Sequence, residues 1–297
     1  MPRFPPLGPR GRDAAVTTVD AHQHFWDPGR ADYPWMTDDV APLRRRFGPD
    51  DLRPLLLAEG IEQTLLVQTR SSFDETLEFL ALAEREAFVA GVVGWIDLTG
   101  PAVADDIARL RAAPGGGRLV GIRHQVHDEP DAAWLARPDV RRGLASVERA
   151  GLLFDLLVRP RELPEALDLA RAMPGLAFVV DHIAKPSIAA HELEPWLSRL
   201  LPLAGLPNVT CKASAMVTEA DPAAWTAADL RPYAEAVLEM FGPGRLMFGS
   251  DWPVCLLAAS YAEVVGAARD LFGGLSAAEQ ARIFGGTAME AYRLPVG

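Results

Sequence analysis

The chain reads as an α/β protein, a single-domain (β/α)8 TIM barrel, and three observations carry that reading. Eight short β-branched or apolar runs recur along its 297 residues. Most are separated by Ala/Leu/Glu/Arg-rich segments of helical length, and strands that alternate with helices must pair in parallel. Reactive polar residues gather where the runs end, as a barrel requires, because its βα loops meet at the C-terminal rim of the strands. About 250 residues is routine for one such domain. An open doubly wound sheet explains the same alternation, but no Gly-x-Gly-x-x-Gly turn follows a strand.

The elements follow in order. Residues 1–15, rich in Pro, Gly and Arg, are expected to be a disordered leader to a barrel spanning 16–297. Thr17–His24 opens the barrel with consecutive β-branched residues. The stretch from Phe25 to Pro49 is long for this architecture and is expected to act as a lid. Strand Gln63–Thr69 leads to helix Asp74–Phe88, whose opening acid suits the positive end of a helix dipole. Strand Val89–Ile96 precedes helix Pro101–Ala112, opened by a proline whose fixed φ suits a first turn. Pro114-Gly115-Gly116-Gly117 turns the chain into strand Leu119–Gln125. Helix Asp139–Ala150, strand Leu152–Val158, helix Leu163–Ala172 and strand Ala177–Ile183 continue the alternation. Helix Glu192–Leu203, strand Asn208–Ser214, helix Leu230–Phe241 and strand Arg245–Asp251 complete it.

Composition narrows the partners. With 40 acids against 29 bases the net charge is -11, which gives no footprint for nucleic acid or an anionic membrane. A small-molecule partner is expected. Cys211 and Cys255 cannot form a disulfide framework, no apolar h-region of a secretory signal is seen, and no run of 18 apolar residues occurs. A cytoplasmic location is the expectation.

Chemistry concentrates at the strand ends. His22 and His24 close the first run at a spacing of two, so a strand places both on one face, able to share a metal or polarise one oxygen. Arg123 and His124 end the fourth run, Asp181 and His182 the sixth, Lys212 lies late in the seventh, and Asp251 ends the eighth. In a closed barrel the eighth and first strands are neighbours, which brings Asp251 to the histidine pair. Trp26 and Trp252 are expected to wall a pocket, and Trp95 to pack.

These motifs carry a resemblance. His22-Gln23-His24-Phe25-Trp26-Asp27, Asp181-His182-Ile183-Ala184-Lys185-Pro186 and Gly249-Ser250-Asp251-Trp252-Pro253 resemble the amidohydrolase superfamily of the amidohydrolase 2 type. With Gly121-Ile122-Arg123-His124, Phe154-Asp155-Leu156-Leu157, and Trp225-Thr226 near Leu230-Arg231-Pro232-Tyr233, they are similar to its lactonase branch. That branch acts on L-fuconolactone, L-rhamnonolactone or 2-pyrone-4,6-dicarboxylate. The chain departs from binuclear members of the superfamily, which place a bridging lysine or glutamate after the fourth strand and a histidine after the fifth. Here those places read Arg123-His124 and Leu156-Leu157-Val158-Arg159.

The resemblance implies a hydrolase opening an aldono-lactone, with Asp251 as the base that activates water. His22, His24 and His182 would polarise the carbonyl, while Arg123, His124, Lys212, Trp26 and Trp252 would bind substrate. One Zn2+ or Mn2+ on His22, His24 and Asp251 is an option, and so is metal-independent catalysis. A metal-dependent decarboxylase of an aromatic or muconate-like acid is the enzymatic alternative. A non-catalytic binding barrel is a further one.

Overall fold

The structure is a computed structural model that describes residues 17–295; the expected leader lies outside the described residues. Eight strands follow one another in chain order around a single sheet. They are β1 (Val19–Gln23), β2 (Gln63–Val67), β3 (Val89–Gly94), β4 (Leu119–His124), β5 (Leu153–Leu156), β6 (Phe178–Val180), β7 (Val209–Ala213) and β8 (Leu246–Phe248). Each neighbouring pair is parallel. At the seam, Asp251 N donates to His22 O at 2.8 Å and His24 N donates to Trp252 O at 2.7 Å. These bonds close the ring, and the fold is the (β/α)8 barrel that the alternation predicts.

Helices α1 (Pro49–Glu59), α2 (Phe73–Arg85), α3 (Val103–Ala112), α4 (Pro138–Arg149), α5 (Leu163–Ala172) and α6 (Trp196–Ala204) are followed by the short α7 (Met216–Glu219). After α8 (Ala227–Phe241) come α9 (Tyr261–Phe272), α10 (Ala277–Ala281) and α11 (Thr287–Ala291). The sequence reading did not anticipate α1 or the helices after β8, although their start signals are present. Gly48-Pro49 opens α1, and Ser260 with Glu263 and Ser276 with Glu279 form reciprocal capping boxes on α9 and α10. None of the described helices is long and apolar enough to cross a membrane.

Two apolar layers hold the barrel. The outer one lies between sheet and helices, and the inner one fills the barrel with Val19, Ala21, Leu65, Val67, Ala90, Val93, Leu153, Val179 and Met247. Ala288, Tyr292 and Leu294 from the C-terminal segment complete that inner layer. The barrel interior is thus packed with side chains rather than open.

Candidate active site

Short strands and irregular turns position the site. β1 carries a register shift between Asp20 and Gln23. Asp20 fixes it, accepting from His22 N at 3.1 Å and Ser250 N at 2.8 Å. Burial raises Asp20 to about 6 against these bonds. Gly249 permits the close approach of β8: a Cβ there would stand 2.7 Å from His22 Cβ. Ser250 is fully buried, and its hydroxyl serves the backbone at Trp252 N and His22 O, so it is a structural residue.

β6 stops at Val180, three residues before its apolar run ends, because the chain turns left-handed. His182, Ile183, Ala184 and Lys185 have φ of 54, 47, 62 and 51°. Such backbone costs about 1–2 kcal/mol per residue. Trp196 offsets part of this by donating its indole N–H to Ile183 O at 2.6 Å. The turn brings both His182 and Lys185 to one cavity.

The structure gathers His22, His24, His182 and Asp251. His22 Nε2 and His24 Nε2 are 3.1 Å apart. Asp251 Oδ1 lies 3.3 Å from His24 Nε2, 3.7 Å from His22 Nε2 and 3.9 Å from His182 Nε2. His24 Nδ1 faces Val67 O at 2.8 Å, and a carbonyl can only accept. Neutral His24 therefore carries its proton on Nδ1 and a bare lone pair on Nε2. His182 Nδ1 is 2.8 Å from Ser214 Oγ. Burial drives His22 and His182 well below the ordinary imidazole range, so both are neutral at pH 7. Burial works to raise Asp251, but His182 beside it and a hydrogen bond from His24 Nε2–H, which exists only when that ring is doubly protonated, outweigh burial and hold its carboxyl below the usual value.

Two ring nitrogens, from His22 and His24, and a carboxylate converging at these distances have the donor chemistry of a divalent-cation site. Val67 O supplies the outer hydrogen bond that fixes the His24 tautomer. The residues fit one Zn2+ or Mn2+.

Beneath them runs a fully buried polar network. Lys212 Nζ is 2.6 Å from Asp155 Oδ2, 2.9 Å from Asp181 Oδ1 and 3.3 Å from His22 Nδ1. Arg123 Nη1 donates to Asp181 Oδ2 at 2.9 Å and lies 3.1 Å from His22 Nε2. Burial alone would raise Asp181, but Lys212, then His22 and Arg123, keep it ionised well below the usual range. Burial raises Asp155 to about 6, with Lys212 opposing. Tyr292 donates its hydroxyl to Asp155 at 2.9 Å from the barrel floor.

Above the cluster opens a cavity of about 300 Å³, its polar lining including Arg123, Gln125, His127, Arg159 and Lys185. Trp26, Trp35, Val40, Leu157, Val254 and Leu257 form its apolar lining. Trp35 and Val40 belong to the long segment after β1, which therefore contributes part of the cavity wall. Burial, with Lys185, Arg159 and Arg123 nearby, pushes His127 down to about 3.

Three of the expected substrate-binding residues do not line this cavity. Lys212 is fully buried a layer below. His124 stacks on Trp134 at 4.1 Å, accepts from Trp95 Nε1 at 3.0 Å, and lines a neighbouring recess of about 420 Å³. Trp252 is buried edge-to-face against Phe47 at 5.4 Å. Arg123 and Trp26 do line it. Arg159, Lys185 and His127 are cavity residues to which the sequence reading gave no role.

Comparison with known proteins agrees with this architecture. The amidohydrolase family profile matches residues 19–294. An L-fucono-1,5-lactonase of Burkholderia multivorans is 43% identical, over 93% of this chain and 96% of the relative. An L-fucono-1,5-lactonase of Burkholderia ambifaria is 40% identical, over 93% of this chain and 95% of its own. The crystal structure of an amidohydrolase from Burkholderia multivorans with bound zinc superposes with a TM-score of 0.88 at 42% identity, covering 94% of this chain and all of the other. A barrel with these strand-end residues, matched along nearly its whole length, belongs to the amidohydrolase family.

Proposed function

We propose that the protein hydrolyses a sugar lactone, with a neutral aldono-lactone such as L-fucono- or L-rhamnono-lactone as its best substrate. The observation that carries this is the near full-length 43% identity to an L-fucono-1,5-lactonase. The cavity supports it, since a volume of about 300 Å³ with mixed apolar and hydrogen-bonding walls suits a single sugar ring. Buried, free Cys211 and Cys255 fit a cytoplasmic enzyme.

Lactone opening needs an activated water, stabilisation of the carbonyl oxygen as it becomes anionic, and a proton for the departing ring oxygen. Asp251, ionised beside the histidines, takes the proton from water and returns it to the ring oxygen. With Ser214 Oγ donating to His182 Nδ1, the neutral ring would present an Nε2–H at the cavity that His182 lines, and this is the proposed oxyanion donor. Arg123 supplies a second donor. His24 Nε2, lacking a proton, is a ligand atom rather than an oxyanion donor. When bound, one Zn2+ or Mn2+ on His22, His24 and Asp251 supplies Lewis-acid polarisation. Arg159 and Lys185 position ring hydroxyls, Lys185 being paired with Glu219, and Trp26 and Trp35 offer an apolar face.

A lactone panel with a pH indicator, run with and without added Zn2+ and Mn2+, tests the reading. Acid release from aldono-lactones at least about tenfold more efficient than from 2-pyrone-4,6-dicarboxylate, a difference of about 1.4 kcal/mol, is expected. A dicarboxylate preference reverses the substrate assignment, and CO2 release from aromatic acids without lactone turnover replaces it by decarboxylation.

A further inference from the structure

The convergence of His22, His24 and Asp251 leaves several electron-rich atoms facing one another, and one guanidinium reaches into them. We propose that Arg123 is a built-in competitor for the cation site, holding down its affinity for a divalent ion. The inference rests on reading His22, His24 and Asp251 as that site.

The placement of the guanidinium argues for it. Val67 O fixes the His24 proton on Nδ1, so the His24 Nε2 lone pair points at His22 Nε2 from 3.1 Å and can accept from it. An ion held by both nitrogens displaces any proton between them, and His22 Nε2 then stands 3.1 Å from Arg123 Nη1, a group that can only donate. Its side chain is pinned by Asp181 at 2.9 Å and by the Gln68 carbonyl, and Arg123 is only 3% exposed. A guanidinium cannot shed its proton, and pinned this way it cannot swing into solvent.

An ion binding His22 Nε2 must therefore sit beside a fixed positive charge in a buried setting, where such repulsion is poorly screened. Lys212 adds less to this penalty because Asp155 and Asp181, at 2.6 and 2.9 Å, balance it. Arg123 has one carboxylate partner, Asp181, and shares it with Lys212.

Competition of chelator-treated protein against a fluorescent zinc chelator measures this directly. Arg123→Met is expected to bind Zn2+ at least about tenfold more tightly than wild type, equivalent to about 1.4 kcal/mol. Arg123→Gln keeps a donor for Asp181 and serves if the Met variant does not fold. Arg123→Lys retains the charge and is expected to stay within about threefold of wild type. A folded neutral variant that binds Zn2+ no more tightly than wild type overturns the proposal, as does a gain in the Lys variant equal to that of the neutral ones. Asp251→Asn separates the two levels of the argument. It should weaken Zn2+ at least about tenfold, and an unchanged affinity would mean that the underlying cation-site reading, and the competition with it, is wrong.

Discussion

Asp251 combines burial, a left-handed backbone with φ of 57°, and contact with three imidazoles. Asp251→Asn is nearly isosteric and is expected to lower kcat at least about a hundredfold while far-UV CD and Tm stay close to wild type. Its depressed carboxyl also sets the acid limb of the pH profile. In its proposed role the base is lost only on protonation, so kcat/KM should hold from neutral pH down through the ordinary carboxylate range and fall only below it; a fall already complete above that range would assign the titration to another group. Arg159→Ala and Lys185→Ala should raise KM with a smaller change in kcat, as expected for groups that bind ground state and transition state alike. At this scale the sequence was legible where a side chain's direction follows from strand parity. Adjacent residues face opposite sides, so Arg123 inside puts His124 outside, and parity alone could have withdrawn His124 from the site. Arg159 and Lys185 gave no such signal, because they lie beyond the strands where no period governs direction.

Elements were legible to the extent that their patterns are local. Apolar runs located all eight strands, yet β6 ends at Val180 because Trp196, from the next helix, holds the left-handed turn by its bond to Ile183 O. That tertiary contact has no trace in the run itself. α9 was missed although Ser260 and Glu263 announce it, because attention to apolar period passes over a cap. Ser260→Ala removes the acceptor for Glu263 N and should cost about 1 kcal/mol, read as a lower Tm with unchanged activity. Gly249→Ala is expected to do the reverse in emphasis: with His22 Cβ at 2.7 Å from the new methyl, activity should fall more than stability.

For the molecule as a whole, one ion per chain is the expected limit. β4 ends in Arg123-His124, and β5 ends without a histidine, so the described residues leave a second ion facing a guanidinium. Elemental analysis of protein purified without added metal should find no more than one equivalent of transition metal; two would contradict the site described. The barrel and the gathering of His22, His24, His182 and Asp251 at its rim were readable from the sequence because parallel strands in chain order leave few topologies. The floor network was not. Nothing along the chain connects Tyr292 to Asp155, whose separation of 137 residues is bridged only once the C-terminal segment folds under the barrel.

The seam between the last strand and the first has a consequence for how function appears in time. Asp20 and Ser250, bonded across it, are 230 residues apart in the chain, and contacts of such separation form late because they bear the greatest loop-closure entropy. His22 and His24 come from one side of this junction and Asp251 from the other, so a chain that has wound seven strands cannot assemble the proposed catalytic group. Turnover is then a reporter of ring completion: during refolding from urea, activity should return with the slowest spectroscopic phase and never ahead of it. Partly wound species, however helical, would be chemically silent, and the enzyme would release no half-competent catalyst on the way to its native state.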